Sequence, residues 1–379
     1  MSLDPIFTNG RLVLADRVLN GSLAVSDGHI AAIDPGRSAV AGAIDLDGDL
    51  LIPGVIDLHT DNLERQVQPR PNARWPSRSA MIAHDAQCAA AGVTTVFDSF
   101  CVGDLGFEED RKRTLVDGVR DMDALAAADL LKSDHLLHLR CELPAFNMEA
   151  QLDPYAEHPR LRLVSVMDHS PGVGQWGDVS QYRAILKRDG LSETEIDLRL
   201  DQHAAIRARW RGPNKRIVLD RMRGRAITIA SHDDRTEAEV AENFADGIGI
   251  SEFPVSMTAA LAARACGMGI IAGAPNIVRG GSHSGNVAAA DMLRASVVDA
   301  FASDYVPASL IEAAFMAVEI ADIALPRAIG LITDRPAQMA GLSGRGRIEV
   351  GLAADLVQVR MHDAMPIVRA VWRRGIRIA

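Results

Sequence analysis

The stretch Leu51–Arg65, LIPGVIDLHTDNLER, decides how the fold is read. A Pro53-Gly54 break precedes the short apolar run Val55–Leu58, and His59 and Asp61 follow two residues apart. Such a run reads as a strand that ends in a polar tip. Because side chains alternate along a strand, positions i and i+2 share a face, so an imidazole and a carboxylate there converge on one point, where they can hold a metal ion. A lone His-x-Asp is more often a strand end meeting solvent. The metal reading gains weight because other strands end alike.

Seven further strand-like runs follow: Thr94–Asp98, Leu136–Cys141, Leu163–Met167, Ala226–Ala230, Ile248–Ser251, Ile270–Ala272 and Val298–Ala302. Helical patterns such as Ser79–Ala91, Arg111–Leu131 and Ser309–Ile323 separate them. Strands alternating with crossover helices predict a parallel sheet, and eight repeats predict a closed (β/α)8 TIM-like barrel over residues 53–344. The segment Gln181–Arg223 is too long for one crossover, and predicts a helical insertion of two helices over the barrel mouth, its charges forming a solvated face. Outside the barrel, Ile6–Ile33 carries the hairpin signals Asn9-Gly10, Asn20-Gly21 and Asp27-Gly28, and Gly346–Ile378 again reads as short strands. Neither end has enough strands to bury a sheet face alone. Both are therefore expected in one small β-sandwich domain, residues 1–52 with 345–379.

The chain of 379 residues, 48% hydrophobic and 24% charged, suits one barrel of about 250 residues plus a satellite. No apolar run approaches the ~20 residues that span a bilayer, and the first residues lack a basic stretch followed by an apolar one, so a cytoplasmic location is expected. Cys88, Cys101, Cys141 and Cys266 are widely spaced without a CxxC, which suits reduced thiols. A formal net charge of -10 disfavours nucleic acid or an anionic membrane as partner, yet leaves room for a local basic pocket that takes an anionic small molecule. A homo-oligomer is compatible with all of this.

In barrel enzymes the C-terminal strand ends build the active site. Here those ends read Arg140-Cys141-Glu142, Asp168-His169, Ser231-His232-Asp233-Asp234 and Ser303-Asp304-Tyr305. Nitrogen and oxygen donors of this kind suit Zn, Mn or Fe, and a carboxylate such as Glu142 can bridge two cations. Asp168, Asp233 and Asp234 also fit as helix caps or as partners that orient an imidazole, while His135, His138, His203 and His362 read as structural or surface residues. Arg65, Arg70 and Arg74 follow the first strand and Arg140 precedes Glu142, supplying guanidinium forks for an anionic substrate. The loop after the seventh strand, Arg279-Gly280-Gly281-Ser282-His283-Ser284-Gly285-Asn286, is the expected phosphate cradle, with His283 counted beside Asp304 among the catalytic residues. His84 begins a helix and is expected as a cap or a substrate contact.

The N-terminal NG and DG pattern, the strand ending PGVIDLHTD and the C-terminal GRIEVGLAADLV together resemble the amidohydrolase superfamily over nearly the whole chain. Within it DLHTDNLER, HDAQCAAAGVTTVFD, HLRCEL, SVMDHSPG, SHDD, SEFP, GAPNIVRGGSHSGN and SDYVP resemble the diphosphatase family of the carbon-phosphorus lyase (phosphonate degradation) pathway. The resemblance implies hydrolysis of α-D-ribose 1-methylphosphonate 5-triphosphate to the 5-phosphate and diphosphate. It also implies two divalent metal ions, zinc by expectation: His59 and Asp61 hold one, Glu142 bridges, His169 and His232 hold the second, and Asp304, counted among the metal residues, faces the bridging hydroxide and serves as base. Many superfamily members instead carry His-x-His and a carbamylated lysine. Here only Lys112, Lys132, Lys187 and Lys215 exist, none at the end of an apolar strand. The alternative is cyclic amide hydrolysis of the dihydroorotase or hydantoinase type, against which the arginine-rich mouth and the missing lysine both argue.

Overall fold

All eight runs become strands of one parallel sheet, seen in a computed structural model that describes residues 4–70, 73–103, 109–282 and 285–379, with backbone alone at 109–112. The strands β1 (Ile6–Val13), β2 (Val18–Ser26), β3 (His29–Pro35), β4 (Ile44–Asp45) and β5 (Leu50–Pro53) come first. The barrel strands follow as β6 (Val55–Thr60), β7 (Val93–Val102), β8 (Asp134–Glu142), β9 (Leu161–Met167), β10 (Thr228–His232), β11 (Ile250–Glu252), β12 (Gly269–Gly273) and β13 (Ala300–Ala302). They pair in sequence order from β6 to β13. Closure comes at the C-terminal strand ends: the Asp304 N–H donates to the His59 carbonyl at 3.0 Å and the Asp61 N–H to the Asp304 carbonyl at 2.6 Å. The barrel is thus sealed at the positions that carry the candidate ligands.

Alternation sorts the barrel side chains into two layers. Ile56, Leu58, Phe97, Leu163, Ala230, Ile250 and Ile271 fill the interior. Val55, Val93, Val96, Leu139 and Val164 pack outward with helix residues such as Met81, Cys88 and Met122. Near the end of β6 the alternation breaks. Asp57 pairs with Val96 and Thr60 with Asp98, three steps against two, which is a bulge. His59 consequently follows Leu58 to the inside, where its ring meets those of His138, His232 and Phe253.

Both chain ends do meet, in a mixed sheet of order β16-β15-β14-β5-β1-β2-β3 with β4 on β1, where β14 is Leu356–His362, β15 Met365–Arg373 and β16 Ile376–Arg377. It encloses its own core of Phe7, Leu12, Leu23, Ile30, Leu46, Leu51, Leu356 and Trp372. Of the three expected hairpin dipeptides only Asp27-Gly28 turns the chain, with both residues at positive φ. Asn9-Gly10 is instead a bulge inside β1, and Gly21 lies within β2 opposite Pro35, because pairing along both strands overrides the local turn preference. Gly54 joins this sheet to the barrel. Its N–H donates to the Asp355 carbonyl at 2.7 Å, and a Cβ there would lie 2.3 Å from Thr94 Oγ1.

The insertion forms two helices, Val179–Arg188 and Glu193–Met222, the second opened by a Ser192–Glu195 capping box. Its charges are not merely a solvated face. Arg207 Nε lies 2.6 Å from Asp168, just past β9, and Lys215, nearly buried, pairs with Glu242 and Asp246. Asn214 donates to the Leu143 and Ala145 carbonyls beyond β8 at 2.7 and 2.8 Å. These bonds pin the second helix to the loops at the barrel mouth.

Candidate metal centre

The C-terminal strand ends open on a cavity of about 410 Å³ lined by His59, Asp61, Arg140, His169, His232 and Asp304. Two groups of donors lie in it. Ligand atoms of His59, Asp61 and Asp304 fall within 4.8 Å of one another, as do those of His169, His232 and Asp233. In the first, His59 Nε2 stands 3.7 Å from Asp61 Oδ1. In the second, Asp233 Oδ2 faces His232 Nε2 at 3.8 Å and His169 Nε2 at 3.9 Å. Asp233 and Asp304 both sit at positive φ, 57° and 54°, a conformation rare outside glycine that aspartate tolerates better than most.

The imidazoles are held from behind by carboxylates. Glu252, at the tip of the three-residue strand β11, places Oε1 2.8 Å from His59 Nδ1 and Oε2 2.7 Å from His232 Nδ1. Burial alone would raise the Glu252 pKa, but the charge of His59 and the hydrogen bonds from His232 and His59 outweigh it and hold the carboxyl well below its usual range. His138, fully buried, is pushed down to about 3 by burial and stays neutral, bonded to Ser165 and facing the Leu58 carbonyl. Glu142 has both oxygens engaged by His169, Oε1 accepting the backbone N–H at 2.9 Å and Oε2 lying 2.5 Å from Nδ1. The Glu142 carboxylate, expected to bridge, is thus turned to His169 in this structure. Asp233, read from sequence as a cap or an orienting partner, faces His169 and His232 in the second donor group.

These residues fit a divalent cation. His59 Nε2 is buried with no hydrogen-bond partner, the orphan a metal would satisfy, and both groups offer the imidazole nitrogen and carboxylate oxygen that Zn, Mn or Fe accepts. With Nδ1 on a carboxylate, each Nε2 lone pair is free to face the cavity. Arg140, 5% exposed, reaches both Asp61 oxygens at 2.9 and 2.8 Å. Burial opposes its charge, yet the Asp61 carboxylate holds the guanidinium pKa well above normal. Burial, then the nearby Asp61 charge, raises the Asp304 carboxyl, so this group accepts a proton more readily than an exposed aspartate.

The remaining expected contacts divide. Arg279, Gly281, Ser282 and Asn286 line the cavity, and Gly280 caps the preceding helix at φ 77°. Arg65 donates to the Tyr305 carbonyl at 2.9 Å with its guanidinium 5.8 Å from the Tyr305 ring, at the rim of the mouth. Arg70 is exposed on the loop beyond, outside the cavity wall. Arg74 turns away, toward Asp117 at 3.4 Å, because the helix Glu109–Ala127 packs beside it. His84 is a correction: fully buried, it lies 2.7 Å from Asp98 and 3.0 Å from Asn62, inside the barrel wall and out of reach of substrate. His283 lies outside the described residues. Sequence reading gave no role to Trp176 and Phe253 at the cavity wall, nor to Glu252 behind the histidines. The available signal for Glu252 was a carboxylate ending an apolar run in SEFP.

No protein-family profile matches the chain. The α-D-ribose 1-methylphosphonate 5-triphosphate diphosphatase of Escherichia coli (strain K12) is 40% identical over 376 residues, 98% of this chain and 100% of that protein. A D-hydantoinase of Ralstonia pickettii matches at 32% over 126 residues, only 33% of this chain and 24% of that protein. Among solved structures, an N-acetyl-D-glucosamine-6-phosphate deacetylase from Mycobacterium smegmatis superposes over 99% of both chains with a TM-score of 0.66 at 13% identity, a likeness of fold. Near-complete coverage by the first makes the conclusion plain: the chain belongs to the α-D-ribose 1-methylphosphonate 5-triphosphate diphosphatase family.

Proposed function

We propose that this protein hydrolyses α-D-ribose 1-methylphosphonate 5-triphosphate to the 5-phosphate and diphosphate, as a hydrolase of phosphonate degradation. The observation that carries the reading is full-length identity of 40% to the diphosphatase. The site lies in the barrel, residues 53–344, with the terminal sheet, residues 1–52 and 345–379, as its support.

Two divalent ions, zinc in this reading, would be held by His59, Asp61 and Asp304 on one side and by His169, His232 and Asp233 on the other, with Glu142 and Glu252 orienting the imidazoles. Bound there, such ions polarise a phosphoryl oxygen and bring the pKa of water toward about 7. The protein supplies the rest. Asp304, beside the donor groups at the cavity wall, takes the proton from the attacking water at a carboxylate oxygen. Arg140, buried against Asp61, keeps a fixed positive charge beside the reacting phosphates, the electrostatic contribution that dominates phosphoryl transfer. Arg279 with the backbone of Gly281 and Ser282 receives the outer phosphates, and Arg65 guards the rim. Four unpaired cysteines suit a reducing, cytoplasmic setting, and no described helix is long and apolar enough to cross a membrane.

Asp304→Asn tests the assignment. Diphosphate release should fall at least 100-fold, within the range expected for loss of a general base. Unchanged release with metal retained would remove Asp304 from that role.

A further inference from the structure

At the end of the barrel opposite the metal centre, a cavity of about 480 Å³ separates the strand starts from the terminal sheet. Pro53 leads into β6 and Asp299 into β13, while Val13 and Leu14 close the space from the tip between β1 and β2. In barrel enzymes this face serves stability, and an interface built for that alone would be filled with apolar side chains. This one keeps room and is ringed by arginine. Arg264 and Arg335 share one carboxylate, donating to Asp299 at 2.7 and 3.0 Å. Arg347 is balanced by Asp334 and Glu349. Arg327 is exposed and makes no ion pair among the described residues. Four guanidiniums, of Arg264, Arg327, Arg335 and Arg347, therefore stand against three carboxylates, of Asp299, Asp334 and Glu349, and Arg264 Nε is buried without a hydrogen-bond partner. The facing wall is apolar, formed by Leu14, Ile329 and Ile348.

We propose that this cavity is a second binding site, for a small organic anion that carries a phosphate or carboxylate on an apolar body. A guanidinium surplus is unusual in a chain with a formal net charge of -10, and it concentrates anions locally. Arginine forks pair with either kind of oxyanion, and the apolar wall covers the remainder of the ligand. Because barrel and terminal sheet each contribute one side, the occupant bridges them, and its binding stabilises their contact by mass action.

Gly330 makes the site testable. It lines the cavity, nothing lies within 4 Å of a Cβ built there, and its φ is not in the left-handed region, so Gly330→Leu adds bulk at the cavity without a Cβ clash or backbone strain. Phenyl phosphate, benzoate and inorganic phosphate are titrated into the metal-loaded full-length protein, its Arg327→Ala variant and its Gly330→Leu variant. A binding event for phenyl phosphate or benzoate is expected that weakens at least tenfold in both variants, while melting temperature without ligand and diphosphate release are kept. The preferred probe tells a phosphate ligand from a carboxylate one. Binding that persists in either variant, failure of both organic probes, or equal affinity for inorganic phosphate overturns the site and leaves the reading of the barrel mouth untouched.

Discussion

His59 Nδ1 and Glu252 Oε1 meet at 2.8 Å across the barrel, both fully buried and 193 positions apart in the chain. The same carboxylate serves His232, so one residue sets the tautomer of a histidine in each donor group. Glu252→Gln keeps the shape but offers one acceptor and one NH2. One imidazole must then accept at Nδ1 and carry its proton on Nε2, where it cannot bind a cation. Metal affinity should fall about 10- to 100-fold, measured by competition with a chelator. Equal affinity would mean that Glu252 does not orient these rings.

Asp233 and Glu142 lead to a second expectation. Asp233→Asn removes the carboxylate facing His169 and His232 while leaving the His59, Asp61 and Asp304 group intact. Purified variant protein should retain one strongly held ion per chain where the parent retains two. Glu142→Gln should give the same pattern more weakly, because its carboxylate acts through His169. Loss of both ions together in Glu142→Gln would restore the bridging role.

A buried chain of aspartate and histidine side chains makes stability depend on pH. Asp85 lies 3.1 Å from His135, His135 lies 2.7 Å from Asp98, and Asp98 lies 2.7 Å from His84. Burial pulls the His135 pKa down, but Asp98 and Asp85 outweigh it and lift the imidazole to about 9, from 6.5. A raised folded-state value stabilises fully below 6.5, and that contribution disappears as pH rises through 9, a loss of about 3 kcal/mol. Urea midpoints at pH 6.5 and 9 should show the loss in the parent. His135→Gln, less stable at both, should lack this increment. An equal drop in both proteins would rule out the His135 charge as its source.

Gly54 is constrained by space rather than by φ. Ala at this position brings Cβ to 2.3 Å from Thr94 Oγ1 and 2.8 Å from Asp355 Cβ, where barrel and terminal sheet touch. Overpacking of this kind costs about 1–3 kcal/mol, visible as a lower urea midpoint for Gly54→Ala. An unchanged midpoint would show that the junction yields freely.

The barrel was legible because each strand is a short apolar run bounded by helix-forming sequence, and polar residues at the run ends fall at one mouth by the geometry of the fold. His59, Asp61, His169, His232 and Asp304 were read on that basis and all face the cavity. Partners set by tertiary contact were not legible. Glu252 ends a strand of three residues and makes its two bonds with residues 193 and 20 positions away. His84 pairs with Asp98 across a helix–strand contact, and Arg74 is drawn off by Asp117 43 positions on. The inward turn of His59 depends on a bulge that only pairing with β7 reveals.

The most direct test is phosphorus NMR of the products when the zinc-loaded protein is given α-D-ribose 1-methylphosphonate 5-triphosphate. Diphosphate and the 5-phosphate should appear in equal amounts, with release abolished by chelator and restored by zinc. Orthophosphate as the first product, or an unchanged substrate beside a hydantoin that opens, would contradict the proposed reaction.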